Sequence, residues 1–454
     1  MRPIVAIVGR PNVGKSTLFN RIARKRLAIV EDIPGVTRDR NYADTEWEGK
    51  AFTIVDTGGF LPETEDQLMR RVRDQARLAI EEAEAVILVV DGMSGLTAAD
   101  QEIASILRKS SKPTFVAVNK IDSARREEEQ YLTDFYRLGI ENTFPVSAEH
   151  NRGVGDMLEK LTVGFPDAPA RATDGGHQRP KDAPCRVAIV GRPNVGKSSL
   201  INKLLGEERF VASEIPGTTT DPNDAKLEYK GQKFVLTDTA GLRRKRAIAQ
   251  KVEQFSVMHA LSTVDRADVV IVVLDATEMP VDQDLRIASI AVEKSKAIVV
   301  FINKWDLVTD KQKQAELREE LKIQLPFVSW APVVFGSALT GDHVFSALNK
   351  AGEVYQHYRA RLPTPLLNNF LEKTVDQHPP PLSSNNKNVR LYYIAQVGSA
   401  PPTFAITCNR PEAVTTDYKR YLLNRMRETF GLKVPVVLLM KEKSGKRRPR
   451  HHQQ

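Results

Sequence analysis

The chain has 454 residues, of which 41% are hydrophobic, which is enough for two to four domains with buried cores. Two cysteines, Cys185 and Cys408, exclude a disulfide framework and indicate a reducing compartment. The net charge is +9, and residues 353–454 carry 17 Lys and Arg against 7 Asp and Glu, so the basic excess lies near the C-terminal end.

The first 160 residues alternate between apolar runs and amphipathic stretches. Helices are predicted at residues 71–83 and 98–110, between runs that are typical of buried strands. This alternation predicts a mostly parallel, doubly wound sheet, and the first run indicates a strand and not a signal peptide. The strands are predicted at 3–9, 52–57, 85–91 and 114–120.

The octapeptide GRPNVGKS occurs twice, and four further motifs repeat behind it in the same order. The offset between the copies is 182 residues at the start and grows slightly toward the end, which indicates a duplicated domain. The paired motifs are GRPNVGKS at 9–16 and 191–198, IPGVTRD at 33–39 and IPGTTTD at 215–221, DTGG at 56–59 and DTAG at 238–241, NKID at 119–122 and NKWD at 303–306, and VSA at 146–148 and GSA at 336–338.

The region after the second copy has a different pattern. A helix, two strands, a helix capped by Thr415 or Thr416 and a third strand predict a small α+β domain. The fold class is therefore α/β, with two P-loop domains of mostly parallel, doubly wound sheets followed by this small domain. The predicted domains are 1–163, a linker at 164–184, 185–352, 353–440 and a basic tail at 441–454.

The repeated octapeptide fits the P-loop pattern Gly-x-x-x-x-Gly-Lys-Ser, placed between a strand and a helix. Its backbone N–H groups and the following helix N-terminus would face phosphate, and Lys15 and Lys197 would reach the β- and γ-phosphates. Ser16 and Ser198 would ligate Mg²⁺. The predicted nucleotide contacts here are Gly9, Asn12, Gly14, Lys15, Ser16 and Thr17, with Gly191, Asn194, Gly196, Lys197, Ser198 and Ser199 in the second copy.

The next two motifs fit a nucleotide-dependent switch. Thr37 and Thr219 are placed to complete the Mg²⁺ shell when the γ-phosphate is present, Thr219 being chosen among three threonines because the repeat aligns it with Thr37. They are predicted as catalytic residues together with the two P-loop lysines. In the third motif, Asp56 and Asp238 would end a strand and hold Mg²⁺, and Gly59 and Gly241 would offer an N–H to the γ-phosphate.

The last two motifs fit guanine recognition. A carboxylate at Asp122 or Asp306 can accept from the N1–H and the 2-amino group of guanine, which adenine lacks. The asparagines would bond the other edge of the base and tether the P-loop, the lysine stems would cover the ring, and the Ser-Ala backbone would donate to O6. The residues concerned are Asn119, Lys120, Asp122, Ser147 and Ala148, and Asn303, Lys304, Asp306, Ser337 and Ala338.

No glutamine follows either Asp-x-x-Gly motif to orient an attacking water, because Phe60 and Leu242 stand there. Either hydrolysis is slow or another group performs this work. Asn12 and Asn194 are candidates to hold a monovalent cation such as K⁺ beside the phosphates, which would supply positive charge. The alternative is that these asparagines only shape the loop.

With these motifs together, the chain resembles the Der family, also called EngA, over essentially its whole length. The resemblance implies two tandem GTP-binding domains, a C-terminal KH-like domain, GTP hydrolysis with Mg²⁺, and a role in maturation of the large ribosomal subunit through its RNA. Potassium stimulation of related GTPases with the same P-loop asparagine favours the cation interpretation. The resemblance also implies a bacterial cytoplasmic or plastid stromal location, and we expect a monomer without a membrane span.

The KH-like region departs from the usual KH pattern, since residues 353–454 contain no Gly-x-x-Gly clamp. We therefore expect RNA contact through charge and shape, although the basic surface could serve only solubility. An RNA-binding scaffold with structural GTP is the alternative from another class, while a tRNA-modifying GTPase lacks a second-cofactor motif. The predicted basic side chains on one helical segment are Lys419, Arg420, Arg425 and Arg427.

Overall fold

The structure is a computed structural model without ligands. It divides into two compact units, of which the first contains strands β1–β6 and the second contains strands β7–β15. No helix among the described residues is long and apolar enough to cross a membrane. The described residues are 2–23, 42–57, 77, 79–81, 83–121, 132–167, 183–206, 224–238, 257–278, 280–382 and 388–442.

The first unit is built on a six-stranded sheet with strand order β2-β3-β1-β4-β5-β6. All pairs are parallel except β2 and β3, which form an antiparallel hairpin at one edge. The strands are β1 (Ile4–Val8), β2 (Tyr42–Trp47), β3 (Lys50–Asp56), β4 (Ala85–Asp91), β5 (Thr114–Asn119) and β6 (Asn142–Pro145), and the helices are α1 (Lys15–Ala23), α2 (Ala98–Arg108) and α3 (Val154–Leu161).

The second copy repeats this sheet with strand order β12-β11-β10-β7-β9-β8. Again one edge pair, β8 with β9, is antiparallel and the rest are parallel. The strands are β7 (Cys185–Val190), β8 (Ala225–Tyr229), β9 (Gln232–Leu236), β10 (Val269–Asp275), β11 (Ala297–Asn303) and β12 (Val333–Phe335), and the helices in this stretch of the chain are α4 (Lys197–Gly206), α5 (Val257–Arg266), α6 (Asp282–Glu293), α7 (Lys311–Gln324) and α8 (Val344–Arg359).

The small C-terminal domain has the predicted α-β-β-α-β order. Its sheet has β13 antiparallel to β14 and β14 parallel to β15. The Thr415 side chain accepts a hydrogen bond from the Tyr418 N–H, which confirms Thr415 as the cap of the second helix. The elements are α9 (Thr364–Gln377), β13 (Leu391–Ser399), β14 (Pro402–Cys408), α10 (Thr416–Phe430) and β15 (Val437–Glu442). Together the three sheets confirm the predicted fold class.

The predicted boundary between residues 352 and 353 falls inside the continuous helix α8. Val354, Tyr355 and Tyr358, which lie beyond that boundary, are buried in the core of the second P-loop domain. A helix buried along its whole length cannot be divided between two domains without exposing that face. We therefore place the boundary after Arg359.

The α+β domain also contributes to the core of the second P-loop domain. Leu432 and Val434 are buried in the same apolar cluster as the C-terminal half of α8. Arg427 extends toward this domain, with its guanidinium carbon 5.5 Å from the centroid of the Trp330 ring. Arg427 is therefore half-buried beside Trp330, and its predicted contact with RNA stays a prediction.

The other arginines predicted for that set have acidic neighbours one turn away. Arg425 donates to Glu428 over 2.8 Å and to Gln377 over 3.2 Å, and Arg420 lies 3.4 Å from an Asp417 oxygen. Surface pairs of this kind are weak, so a phosphate can compete for either guanidinium. Arg420 and Arg425 therefore stay part of the basic face of α10, while Arg427 is half-buried.

Candidate nucleotide-binding sites

Each P-loop leaves the end of a central strand and enters a helix at its lysine. The first connects β1 to α1 at Lys15, and the second connects β7 to α4 at Lys197. The first loop lies directly against β4, the neighbouring strand in the sheet, since a Cβ on Gly9 would be 2.4 Å from the Val89 carbonyl oxygen. The equivalent distance from Gly191 to the Val273 carbonyl is 2.5 Å, so both loops require glycine here.

The two P-loop lysines make the same intraloop contact. The Lys15 Nζ donates to the Arg10 carbonyl over 2.8 Å, and the Lys197 Nζ donates to the Arg192 carbonyl over 2.7 Å. Burial lowers the pKa of Lys15, and the Arg10 guanidinium lowers it further while Asp56 opposes both effects. Each ammonium is thus held at the helix N-terminus, where backbone N–H groups favour anions.

Two of the three side chains predicted to face Mg²⁺ in the first copy, Ser16 and Asp56, meet. Asp56 is the last residue of β3, it is buried, and its Oδ2 accepts a 2.8 Å hydrogen bond from the Ser16 Oγ. The second copy differs, because β9 ends at Leu236 and Asp238 lies beyond it in the left-handed region with φ of 59°. The expectation that Asp238 ends a strand is therefore wrong.

The backbone of Asp238 has a partner that the sequence does not indicate. Its N–H donates to Asp224 Oδ1 over 3.1 Å, and Asp224 also pairs with Arg266 at 2.9 Å. This contact belongs to the second copy and replaces the strand ladder that continues to Asp56 in the first. The two copies thus differ at the position predicted to hold the metal.

Several predicted site residues lie outside the described part of the chain, so their placement stays a prediction. They belong to the two switch motifs and to the base-recognition motif of the first copy. These residues are Thr37, Gly59, Asp122, Thr219 and Gly241, together with Phe60 and Leu242 at the positions after Asp-x-x-Gly.

A buried asparagine joins the base-recognition motif to the P-loop in the first copy. Asn119, 2% exposed, ends β5 and donates from Nδ2 to the Val13 carbonyl over 2.9 Å. Its Oδ1 accepts from the Ala148 N–H over 3.0 Å. A Cβ on Gly14 would lie 2.2 Å from the Asn119 Nδ2, so the loop and the amide are in close contact.

The second copy has the same arrangement. The Asn303 Nδ2 donates to the Val195 carbonyl over 2.6 Å, and its Oδ1 accepts from the Ala338 N–H over 2.8 Å. A Cβ on Gly196 would lie 2.1 Å from that Nδ2. In both copies the alanine N–H that we expected at O6 of the base donates instead to the asparagine. This difference arises because the amide is buried and needs a donor for its oxygen.

The serine of each Ser-Ala pair supports the turn that follows it. Ser147 and Ser337 are both buried. The Ser147 Oγ accepts from the His150 N–H over 3.2 Å, and the Ser337 Oγ accepts from the Thr340 N–H over 3.3 Å. These hydroxyls therefore stabilise the loops that begin at Ser147 and Ser337, which we call the base-recognition loops.

The lysines of the base-recognition motifs are held by aspartates that sequence reasoning missed. The Lys120 Nζ donates to Asp91 Oδ2 over 2.7 Å and to the Asn12 carbonyl over 3.0 Å. In the second copy the Lys304 Nζ lies 2.5 Å from Asp275 Oδ2. Burial acts to raise the pKa of Asp91, but the hydrogen bonds from Lys120 and the following backbone outweigh it, so the pKa is lowered.

These aspartates could have been found from the sequence. Asp91 and Asp275 each end a long apolar run, and they repeat at the same 184-residue offset as the Asn-Lys-x-Asp motif. Charged residues at the carboxyl ends of parallel strands face the ligand edge of the sheet. The Lys–Asp pairing fixes the direction of a long side chain whose stem was expected to cover the base.

Asp306, which is predicted to read the base in the second copy, is on the surface. Asp306 is exposed in a short 3₁₀ turn, Trp305–Leu307, directly after Asn303 and Lys304. Trp305 is packed beside Phe335, with ring centroids 4.5 Å apart, and the Arg318 guanidinium lies 3.8 Å above the Phe335 ring. The turn that carries Asp306 is therefore supported by an aromatic and cationic stack.

The P-loop asparagines have a conformational reason to be asparagine. Asn12 and Asn194 are exposed and have φ of 64° and 63°, in the left-handed region where asparagine is favoured among non-glycine residues. This geometry agrees with a role in shaping the loop. It leaves both amides exposed beside the phosphate-facing part of the loop, so the cation alternative stays open.

Two P-loop domains of this kind followed by a small α+β domain define a tandem GTPase. A family model described as a 50S ribosome-binding GTPase matches residues 4–120 and 186–304. A second, described as the KH-domain-like C-terminal region of EngA bacterial GTPase enzymes, matches residues 361–441. The KH-like match begins just beyond α8.

Full-length relatives agree with these matches. A GTPase Der of Myxococcus xanthus is 50% identical over 446 residues, covering 98% of this chain and 96% of that protein. A GTPase Der of Clostridium novyi is 47% identical over 430 residues, covering 94% and 96%. One from Fusobacterium nucleatum is 46% identical over 450 residues, covering 98% and 100%. The chain belongs to the Der (EngA) family, and it is a GTPase that converts GTP to GDP and phosphate.

The contact between asparagine and P-loop glycine predicts the effect of a single methyl group. Gly14→Ala, at φ of 93°, should displace Asn119 and lower GTP affinity at the first site about ten- to hundredfold, from about 1–3 kcal/mol of strain. Isothermal titration with GTP measures the affinity, and thermal unfolding followed in parallel measures the stability of the variant.

Gly49→Ala is the matched control for backbone strain. Gly49 has φ of 79° in the β2–β3 turn, and a Cβ there meets nothing within 4 Å. It should cost about 1–2 kcal/mol of stability and leave GTP affinity unchanged. Equal GTP affinity in the Gly14→Ala chain and the parent would contradict the proposed link between the loop and the amide.

Proposed function

We propose that this GTPase acts as a guanine-nucleotide switch in maturation of the large ribosomal subunit, through nucleotide-dependent binding to ribosomal RNA. The observation that carries the proposal is that the chain contains the same arrangement twice and then a KH-like domain. In each copy a buried asparagine joins the P-loop to the Ser-Ala loop, and we call this arrangement the frame of the site. The family description of a 50S ribosome-binding GTPase supports the choice of subunit. Two switches on one chain allow up to four nucleotide states.

In this proposal Mg²⁺ is held beside the P-loop serine of each site. The Ser16 Oγ and Asp56 Oδ2, 2.8 Å apart, are the hard oxygen donors that Mg²⁺ prefers. When bound, Mg²⁺ would neutralise charge on the β- and γ-phosphates. Thr37 would add its hydroxyl in the triphosphate state, and Ser198, Thr219 and Asp238 would form the set in the second site.

The remaining nucleotide roles follow the two halves of each frame. The Lys15 and Lys197 ammonium groups would each keep the hydrogen bond to the loop carbonyl. Their other N–H groups would donate to the β- and γ-phosphates. Asp122 and Asp306 would read guanine through N1–H and the 2-amino group. Because the Ala148 and Ala338 N–H groups bond the asparagines, we assign them first to holding the base-recognition loop.

Base reading can be tested at the described carboxylate. Asp306→Asn replaces an acceptor with an amide that can donate, so GTP should weaken at the second site and xanthosine triphosphate should bind better, because its C2 carbonyl needs a donor. A preference change of about 10²-fold or more is expected for a buried, ligand-covered contact. Competition titrations with GTP, ATP and xanthosine triphosphate measure it.

Asp310→Asn is the control for that experiment, since Asp310 is an exposed helix cap a few residues away that accepts from the Gln312 N–H. It should leave the base preference unchanged. Equal binding of ATP and GTP by the parent chain would refute the base-reading assignment.

Hydrolysis should respond to the monovalent cation if Asn12 and Asn194 help to seat one. Exchanging potassium for sodium should then lower turnover in the parent chain. Asn12→Gly with Asn194→Gly keeps the left-handed loop conformation and removes both amides, so it separates ion binding from loop shape. The double variant should lose the difference between the two salts. A difference that persists in the glycine variant would show that the amides do not seat the cation.

We assign RNA contact to the third domain and its basic tail. The tail lies outside the described residues, and β15 continues to Glu442, so removal of the tail should start after that residue and not after Met440. Replacing the five tail cations by Gln should make the salt dependence of ribosomal-subunit binding weaker. The slope of the logarithm of the binding constant against the logarithm of the salt concentration should decrease in magnitude by about 0.7 for each phosphate that is no longer neutralised. The five are Lys443, Lys446, Arg447, Arg448 and Arg450.

The measurement is subunit co-sedimentation across potassium concentrations, with GDP and with a non-hydrolysable GTP analogue. A chain that ends at Glu442 should show the same salt slope as the five-Gln chain. The reason is that, in this proposal, the tail contributes affinity through its charges and does not discriminate between RNA sequences. An unchanged salt slope in both chains would mean that the tail does not touch RNA.

A further inference from the structure

The second residue of each P-loop, Arg10 or Arg192, makes a contact that the nucleotide motifs do not explain. The Arg10 Nε lies 3.5 Å from Asp100 Oδ2, and the Arg192 Nε lies 3.4 Å from Asp284 Oδ2. Both carboxylates are 0% exposed, and the arginine side chains are 22% and 15% exposed. The same buried ion pair is therefore present in both copies.

Each aspartate is the third residue of the helix that follows the fourth strand of its copy. Asp100 Oδ2 accepts from the Thr97 N–H over 3.1 Å and from the Thr97 Oγ1 over 2.6 Å, which caps α2. Asp284 Oδ2 accepts from the Val281 N–H over 3.3 Å at the start of α6. Capping explains the aspartates, but a cap requires no buried guanidinium.

The ion pair is a poor source of stability in both copies. The Arg10 Nε and Nη2 and the Asp100 Oδ1 are buried and have no hydrogen-bond partner among the described residues, and the same holds for the Arg192 Nε and the Asp284 Oδ1. Buried ion pairs contribute little to folding when their remaining polar atoms are unsatisfied. The arrangement is more consistent with holding a group in place than with stabilising the core.

The group held in place is the loop carbonyl that binds the P-loop lysine. Arg10 presents its side chain to Asp100 and its own carbonyl to the Lys15 Nζ, and Arg192 does the same for Asp284 and Lys197. Moving either guanidinium would therefore turn the peptide that supports the lysine. The following helix, the loop and the ammonium form one connected path.

We propose that Arg10 and Arg192 are positioning residues for GTP hydrolysis, each anchored by a buried aspartate so that its carbonyl fixes the P-loop lysine on the phosphates. This inference rests on the proposed function, since it assumes that Lys15 and Lys197 contact phosphate. It adds two Arg–Asp pairs to the site and gives each a role that acts through the lysine.

The copies differ in how firmly the arginine is held. The Arg192 Nη1 also donates to Glu278 Oε2 over 2.8 Å, whereas the aligned position in the first copy is Ser94. Among the residues that the structure describes, two carboxylates thus hold Arg192 and one, Asp100, holds Arg10. Neutralising Asp100 should therefore impair the first site more than neutralising Asp284 impairs the second.

The test uses the full chain with one site silenced, so that each reading belongs to one copy. Lys197→Ala silences the second site, and Lys15→Ala silences the first. The Lys197→Ala chain and the Lys15→Ala chain, which are the parents of the further variants, should each bind one guanine nucleotide. Equilibrium dialysis with radiolabelled GDP counts the bound nucleotides. Two nucleotides in either parent would refute the proposed site assignment, independently of the positioning role.

In the Lys197→Ala chain, Arg10→Gln and Asp100→Asn should each lower kcat and kcat/KM for GTP about ten- to hundredfold, as expected when a catalytic group is misplaced by about 1 Å. Arg10→Lys keeps the charge beside Asp100 and should recover most of the activity. In the Lys15→Ala chain, Asp284→Asn should have a smaller effect, and adding Glu278→Gln should bring it to the level of Asp100→Asn.

Ala98→Gly separates positioning from helix stability, because it weakens the first turn of α2 at an exposed residue and leaves the side-chain contacts of Asp100 in place. It should lower the melting temperature and leave kcat unchanged for the folded chain. A decrease in kcat in Ala98→Gly equal to that in Asp100→Asn would overturn the proposal, as would unchanged kcat in Arg10→Gln with one nucleotide still bound.

Discussion

The buried asparagine that ends β5 or β11 is the constraint on which each nucleotide site depends. Its Nδ2 holds the P-loop through the carbonyl of Val13 or Val195, and its Oδ1 holds the base-recognition loop. Three segments far apart in sequence therefore share one small amide. Since that amide is buried, replacing it would leave several polar groups without partners.

The rest of each site is arranged around this frame. The glycine beside the amide has no room for a Cβ, so the helix that follows begins at a fixed point and places its lysine and serine together. The Lys–Asp pairs at the strand ends then hold the base-recognition lysines against the same edge. Phosphate and base would thus bind to parts of one rigid body, which favours a precise distance between them.

The copies share this frame and differ around it. Asp56 continues a strand, whereas Asp238 has a left-handed backbone and bonds Asp224. Arg192 also pairs with Glu278, whereas Ser94 stands at the aligned position in the first copy. Identical octapeptides therefore lie in two sites whose surroundings differ at Asp56 and Asp238 and at Arg10 and Arg192.

Much of this could be predicted because the motifs need particular residue types at fixed spacings. The P-loop glycines, the strand–helix alternation, the α-β-β-α-β order and the Thr415 cap all follow from local chemistry. The end of the second domain could not be predicted, because α8 continues past residue 352 to bury its tyrosines against that domain. Arg427 was assigned to a surface that its contact with Trp330 partly removes.

The missed aspartates show where sequence reasoning ends. Asp91 ends a strand and Asp100 lies in the first turn of the following helix, and one holds the base-recognition lysine while the other holds a P-loop arginine. Only the fold shows which cation each one meets. The antiparallel β2–β3 edge was missed as well, although the tight turn at Glu48–Gly49, with both residues at positive φ, is typical of a hairpin.

The central claim is that both copies are complete guanine-nucleotide sites built on the same frame. Native mass spectrometry of the full chain, after equilibration with GDP and Mg²⁺ and removal of excess nucleotide, tests it most directly. The account predicts two nucleotides per chain, and one nucleotide in a chain carrying either Asn119→Ala or Asn303→Ala. A single nucleotide at saturation in the unmodified chain would contradict it.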